Sequence, residues 1–231
     1  MAAAGPTIQP VVTISASYGA GGSVIAPMLA ERLHLPFVDR VLSADISDQA
    51  GQSADGSTTG RSGEGLSEAE RAASPGNRLF AYLARGASVG TVTAPPMDVD
   101  TDDHLRRRAE SGLDGIRAGG GGVILGRAAA VVLSGRARTF HVRLDGAAAR
   151  RDVAAARIED VEMAHVAERR ARTDRARELW VRRLYRADVL DPKWYHLWID
   201  TTIFTATDTT DLLVLAVTRF LEATATGAPP G

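Results

Sequence analysis

At 231 residues, 45% hydrophobic and 24% charged, the chain is long enough for one α/β domain with an insertion and has the composition of a soluble globular protein. A formal net charge of −1 argues against bulk electrostatic binding to nucleic acid or an anionic membrane, and the lack of Cys excludes disulfides, thiol catalysis and Cys-ligated metal. The start, Met1-Ala-Ala-Ala-Gly-Pro6, has neither a basic region nor a long apolar core, and no run approaches ~18 apolar residues, so a cytoplasmic protein without nucleic-acid or membrane partners is expected.

The β-branched run Val11 to Ala16 predicts a first strand. It breaks into Gly19-Ala-Gly-Gly22-Ser23 and resumes as an amphipathic helix over about Gly22 to Leu33. Strand, glycine turn and helix amino end together aim backbone N–H groups and the positive end of a helix dipole at one point, which favours an anion. A full phosphate-binding loop reads G-x-x-x-x-G-K-[ST]. With its second Gly on Gly21, Ala16 stands at the first Gly, Gly22 at the Lys, and Ser23 where Ser or Thr is expected. No lysine is displaced nearby, because the basic residues are 26 Arg and the distant Lys193.

Pro36-Phe-Val-Asp39 reads as a short second strand ending in an acid. Residues 49 to 78 are rich in Gly, Ser, Ala and Asp, too poor in large apolar side chains to offset their ordering entropy, and are expected to be disordered. Helices are predicted over Asn77 to Ser88 and Thr101 to Ala118, then a glycine joint at 119 to 122. Val123 to Gly126 is a buried strand followed by a helix over Ala128 to Leu133. Thr139 to Leu144 is a fourth strand, about Ala147 to Tyr185 a long Arg- and Ala-rich helical region, Trp194 to Asp200 a fifth strand, and Thr209 to Glu222 a closing helix. Strands alternating with helices indicate an α/β fold of three layers, with a five-stranded parallel sheet and helices on both faces.

Within the helical region, Arg170, Asp174 and Arg177 fall at i, i+4 and i+7 and share one helix face. That pattern suits a solvent-facing ladder of ion pairs, or a clamp on phosphates passed between two molecules. Arg150 and Arg151 read as solvated side chains, with an inward turn to a phosphate as the alternative. The five histidines show no metal-binding spacing.

The segments Ile14-Ser-x-x-Tyr-Gly-Ala-Gly-Gly-Ser23, Pro36-Phe-Val-Asp39, Ile124-Leu-Gly-Arg127, Asp174-x-x-Arg177 and Asp191-Pro-x-x-Tyr-x-Leu-x-Ile-Asp-Thr201, in this order, resemble the cytidylate kinase-like family. Its members carry Gly-Gly where the loop lysine would be. The resemblance implies a P-loop NTPase-like fold over residues 8–225, with 45–120 as an insertion in the acceptor-binding position and 145–190 as a helical lid. It also implies transfer of the ATP γ-phosphoryl group to a nucleoside monophosphate, CMP or dCMP by default, with Mg²⁺. Gly19, Ala20, Gly21, Gly22 and Ser23 would hold ATP, Asp39 and Arg127 the acceptor, and Arg127, Arg170, Asp174 and Arg177 would be catalytic; no metal ligand is implied. Gly22 and Val24 stand in place of the Lys and Thr of typical cytidylate kinases, Ala128 replaces the Asp after Arg127, and Ala171 a lid Asp. A nucleotide- or phosphate-binding module without turnover, a kinase for another small acceptor, and an assembly protein using the Arg-rich helices as an interface, with a homo-oligomer compatible, are the competing readings.

Overall fold

The computed structural model describes residues 10–39, 99–126, 128–160 and 162–225. The helix expected at Asn77 to Ser88, the segment 49–78 and Arg127 lie outside the described residues. In chain order the elements are β1 (Val11–Ala16), α1 (Gly22–Arg32), β2 (Phe37–Val38), α2 (Val99–Ala118), β3 (Gly122–Leu125), α3 (Ala129–Val132), β4 (Thr139–Asp145), α4 (Ala148–Glu159), α5 (Met163–Tyr185), β5 (Leu197–Asp200) and α6 (Ala206–Ala225).

The five strands form one parallel sheet in the order β2-β3-β1-β4-β5. Both faces are covered, which is why β1 and β3 carry near-continuous apolar runs, while β4 alternates apolar and polar residues. On one face Val12, Ile14, Val123, Leu125, Phe140, Val142 and Leu144 pack on Ile25, Ala26 and Leu29 of α1 and on Leu213 and Val217 of α6. On the other, Val11, Val38 and Ile124 meet Leu113 of α2 with Ala129 and Leu133 at α3. The expected three-layer α/β fold is therefore present. Strands added after β1 lie on one side of it and β4 and β5 on the other, so the β1–α1 loop sits at the point where the strand order reverses, at the carboxyl edge of the sheet.

Three expected elements differ from the structure. The helical region from Ala147 to Tyr185 is two helices: Asp160, with φ 55°, closes α4 in the left-handed region, and α5 begins again at Met163. The break folds α5 back so that Val166 meets Ala155 and Tyr18, apolar burial that one straight helix could not achieve. The fifth strand starts at Leu197 rather than Trp194, because the Asp191 carboxylate accepts the Lys193 N–H and Pro192 opens a 3-10 turn over Pro192–Trp194. The closing helix begins at Ala206, where the Thr205 hydroxyl accepts the Asp208 N–H at 3.1 Å as a cap.

The α2/α3 face of β4 is polar, and its His141 is 3% exposed. His141 Nδ1 lies 2.7 Å from Thr13 Oγ1, and the His141 N–H donates to His196 Nδ1 at 3.0 Å. Burial first, and then the neighbouring His196, push the His141 imidazole down to about 4 from 6.5, partly offset by the Leu133 carbonyl. As the pH falls the unfolded chain takes up this proton before the folded one does. Stability from this group is therefore full above about pH 7, declines from about 6.5 to about 4 and is flat below, a loss of about 3 kcal/mol. Urea unfolding of the wild type and of His141→Gln at pH 7.5 and 4.5 checks this: the variant should lose less stability across the interval, and equal losses would overturn the assignment.

Candidate functional site

The loop after β1 is built by backbone geometry. The Ser17 N–H donates to the Leu144 carbonyl at 3.1 Å and the Ala20 N–H to the Ser17 carbonyl at 3.1 Å, while Gly19 and Gly21 take left-handed φ values of 77° and 73°. Gly21 is the N-cap of α1 and no side chain closes that helix end, which leaves first-turn donors and the positive end of the dipole for an anion. The buried Thr201 hydroxyl donates to the Ala20 carbonyl at 2.8 Å, tying the loop to the chain after β5.

The missing lysine has a steric cause. A Cβ on Gly22 would stand 2.6 Å from Ala16 Cβ and 3.3 Å from Leu125 Cδ1, so the methyl at position 16 occupies the space that a side chain at 22 would need. Gly22→Lys should therefore cost about 1–3 kcal/mol through overpacking, and Ala16→Gly in the same chain should return most of it. Thermal unfolding of both single variants and the double variant reads the coupling; additive effects would show that the two positions do not compete.

Tyr18 fixes the loop to the helices beyond β4. It is fully buried. Its N–H donates to Asp174 Oδ1 at 2.8 Å, its carbonyl accepts from Arg151 Nη1 at 2.8 Å, and its hydroxyl donates to Glu159 Oε2 at 2.9 Å. Arg151 Nη1 also meets Asp174 Oδ2 at 2.7 Å, and its Nε donates to the Gly146 carbonyl at 3.0 Å. A Cβ on Gly19 would fall 2.2 Å from the Arg151 carbonyl oxygen, so only glycine lets the loop lie against α4.

The structure distributes the expected site residues as follows. Gly19 to Ser23 form the loop and the start of α1. Arg177 Nη1 donates to the Ala16 carbonyl at 3.1 Å, at the foot of the loop. Asp174 is beside it on α5, with Tyr18 and Arg151 as partners. Arg170 turns to Asp152 on α4, its Nε 2.6 Å from Oδ1, and does not complete a ladder with Asp174 among the described residues. Asp39 follows β2 at the carboxyl edge. Arg151 corrects the reading of a solvated side chain: it is 9% exposed, because Asp174, Gly146 and Tyr18 satisfy its guanidinium. Arg150 does face solvent, pairing with Asp200 Oδ2 at 2.6 Å and with the Thr202 hydroxyl. The Thr202 hydroxyl, and then Arg150, hold the Asp200 carboxyl below its ordinary value.

Sequence reasoning missed Arg143. At the centre of β4 it donates to the Ser15 hydroxyl at 3.0 Å and to the Ser17 hydroxyl at 2.7 Å. The available signal was a guanidinium on the polar face of a strand whose alternate residues are apolar. Arg143, Arg151 and Arg177 thus contact, between them, all four residues from Ser15 to Tyr18 leading into the loop. Beside them an open cleft of about 450 Å³ is lined by Ala149, Arg150, Val153, Ala154, Arg157 and Thr202.

These residues fit a polyphosphate: an uncapped helix amino end, a glycine turn and adjoining guanidiniums match its charge and its demand for donors. Among the described residues no group of three or more His, Asp or Glu could hold a metal by itself. Mg²⁺ bound with phosphate keeps several waters and needs only one or two carboxylates besides the phosphate oxygens. Among the described residues no helix is long and apolar enough to cross a membrane.

Among solved structures, the chain is similar to an uncharacterised protein from Eubacterium ventriosum, at 15% identity and TM-score 0.57 over 90% of this chain and 98% of that one. It also matches a shikimate kinase from Acinetobacter baumannii in complex with shikimate (13% identity, TM-score 0.43, 91% and 94% coverage). A sugar kinase from Janibacter sp. matches at 18% identity and TM-score 0.45, with 96% and 99% coverage. Among curated proteins there is no significant match. With a glycine loop whose lysine position is sterically closed, an arginine of α5 reaching its foot, and residues 11–203 matching the family profile, the chain belongs to the cytidylate kinase-like family.

Proposed function

We propose that this protein transfers the γ-phosphoryl group of ATP to a nucleoside monophosphate, CMP or dCMP being the acceptors the family resemblance implies. Membership of a kinase-like family supports phosphoryl transfer as the reaction class. The observation that carries the reading is the convergence of Arg143, Arg151 and Arg177 on residues 15–18, next to an uncapped helix amino end at the sheet's carboxyl edge. In the proposed mechanism the turn from Gly19 to Ser23 holds the donor phosphates. The cleft between α4 and Thr202 offers apolar walls from Ala149, Val153 and Ala154 with Arg150 at its rim, a shape suited to the donor base. Arg177, with Arg127 and Arg170, would take the acceptor phosphate and the charge that develops during transfer, and Asp174 orients Arg151 and the loop. Mg²⁺, when bound, would neutralise phosphate oxygens. Helices α4 and α5 then serve as the lid of 145–190, and 45–120 chooses the acceptor, with Asp39 at its near end. Little covalent work falls to the protein, since positioning and electrostatics dominate phosphoryl transfer.

The closed position at Gly22 favours one alternative, a module that binds nucleotide without turnover. ADP formation from ATP and Mg²⁺ with a panel of nucleoside monophosphates separates the two. Turnover dependent on CMP or dCMP supports the kinase; folded protein that binds ATP yet forms no ADP with any acceptor sinks it in favour of the module.

A further inference from the structure

Among the described residues Arg143 is a buried cation without a counter-ion. It is 5% exposed, and among the described residues its partners are the neutral Ser15 and Ser17 hydroxyls and the face of Trp198, whose ring centroid lies 5.7 Å from the guanidinium carbon. Nε has no hydrogen-bond partner among the described residues. The Tyr195 phenol lies against the same Ser15–Arg143 pair. The sheet enforces this placement: Ser15 on β1 and Trp198 on β5 are the register partners of Arg143 on either side.

Burying a guanidinium among neutral groups costs free energy that a carboxylate partner would ordinarily offset. Arg151, one helix away, has such a partner in Asp174, whereas Arg143 is aimed at the two hydroxyls flanking the last residue of β1. A hydroxyl that accepts from a guanidinium is a stronger donor through its own proton.

We propose that Arg143 is a positioning residue for a bound phosphate: from β4, through the Ser15 and Ser17 hydroxyls, it supplies the fixed positive charge that the loop cannot carry at Gly22. The anion against residues 15–18 completes the counter-charge of Arg143, and the two hydroxyls donate to its oxygens. This deepens the reading of a phosphotransferase site but requires only that the site bind phosphate. An Arg143 with a purely structural role would contribute to the fold and not to anion affinity. An uncompensated buried charge does the opposite: removing it spares or stabilises the empty protein while weakening the ligand.

The test is calorimetric titration of the full chain with inorganic tripolyphosphate, ADP and CMP, beside thermal unfolding without ligand, for the wild type, Arg143→Met, Arg143→Lys and Ser17→Ala. Arg143→Met should unfold at the wild-type temperature or above it, yet bind at least one of these anions about 10- to 100-fold more weakly, the loss expected for a charge-assisted contact. Arg143→Lys should restore part of that affinity. Ser17→Ala keeps the guanidinium and should still weaken binding several-fold, which holds the proposal open to refutation if the methionine variant does not fold. A loss confined to tripolyphosphate and ADP places the anion on the donor side, and one confined to CMP on the acceptor side. A wild type that binds none of the three, or Met and Ala variants that bind all three as tightly as the wild type, would overturn the proposal. Tight tripolyphosphate binding without ADP formation from any acceptor would leave Arg143 in its role and remove the kinase reading alone.

Discussion

Replacing Arg177 by alanine is expected to lower acceptor-dependent ADP formation by about 10³-fold, the scale on which an arginine at the transferring phosphoryl group acts. Arg177 reaches the carbonyl of Ala16 from α5, where β1 gives way to the glycine loop and a phosphate would rest on the amino end of α1. Its fork can grip oxygens of two groups at once, and no lysine is available within the loop to share that task. Losing the part-buried bond to Ala16 costs about 1 kcal/mol, far less than the expected loss of rate, so activity should fall much further than thermal stability. Arg177→Lys keeps the charge without the fork and should recover only part of the rate. Steady-state ADP release with CMP as acceptor measures both variants. An alanine variant within about threefold of the wild type, a difference too small for any transition-state contact, would remove Arg177 from the proposed chemistry.

Asp174→Ala should destabilise the protein by about 3–5 kcal/mol, the cost of leaving a buried ion-pair partner uncompensated. For a chain of this length that corresponds to a fall of about 10 °C in melting temperature. The carboxylate accepts both the Tyr18 N–H at 2.8 Å and Arg151 Nη1 at 2.7 Å, and the Arg151 side chain is only 10% exposed. Without it the guanidinium keeps two carbonyls and a longer contact of 3.5 Å to Asp145. Asp174→Asn retains one acceptor for Tyr18 and should lie between the two. Adding Arg151→Met to Asp174→Ala should return part of the loss, because the stranded charge is removed. Calorimetric unfolding of the wild type, Asp174→Ala, Arg151→Met and the double variant gives the cycle, and an alanine variant within about 1 kcal/mol of the wild type would be too stable for the stranded-charge account.

The Asp174 clamp also couples the loop to the helices proposed as a lid. Tyr18 is held at three atoms by residues of α4 and α5, and Glu159 in turn pairs with Arg169 at 3.1 Å. A rotation of α5 away from the sheet would have to break the Asp174 bond to the loop backbone. The loop conformation and the lid position are thus one mechanical unit in this structure.

Local pattern determined much of this protein. The β-branched run from Val11 to Ala16, the glycine turn after it and the apolar strands at Val123 and Thr139 each signal their own conformation, because strand propensity, periodicity and glycine's access to positive φ act over a few residues. Their alternation with helices was enough for a parallel three-layer sheet. The family resemblance likewise followed from short motifs read in order. What the sequence left open depends on contacts that form only when separate elements pack together. The partner of Asp174 is Arg151 rather than its helix neighbour Arg170, because α4 and α5 fold back on each other and Asp152 takes Arg170. Arg143 becomes a buried cation only when β4 lies between Ser15 and Trp198. The missing lysine becomes a steric consequence only when the turn brings Ala16 so near Gly22, six residues on, that a Cβ there would stand 2.6 Å from the Ala16 Cβ. Burial and charge pairing are properties of the packed chain, so tertiary structure alone decided which of 26 arginines serve the loop and which face water.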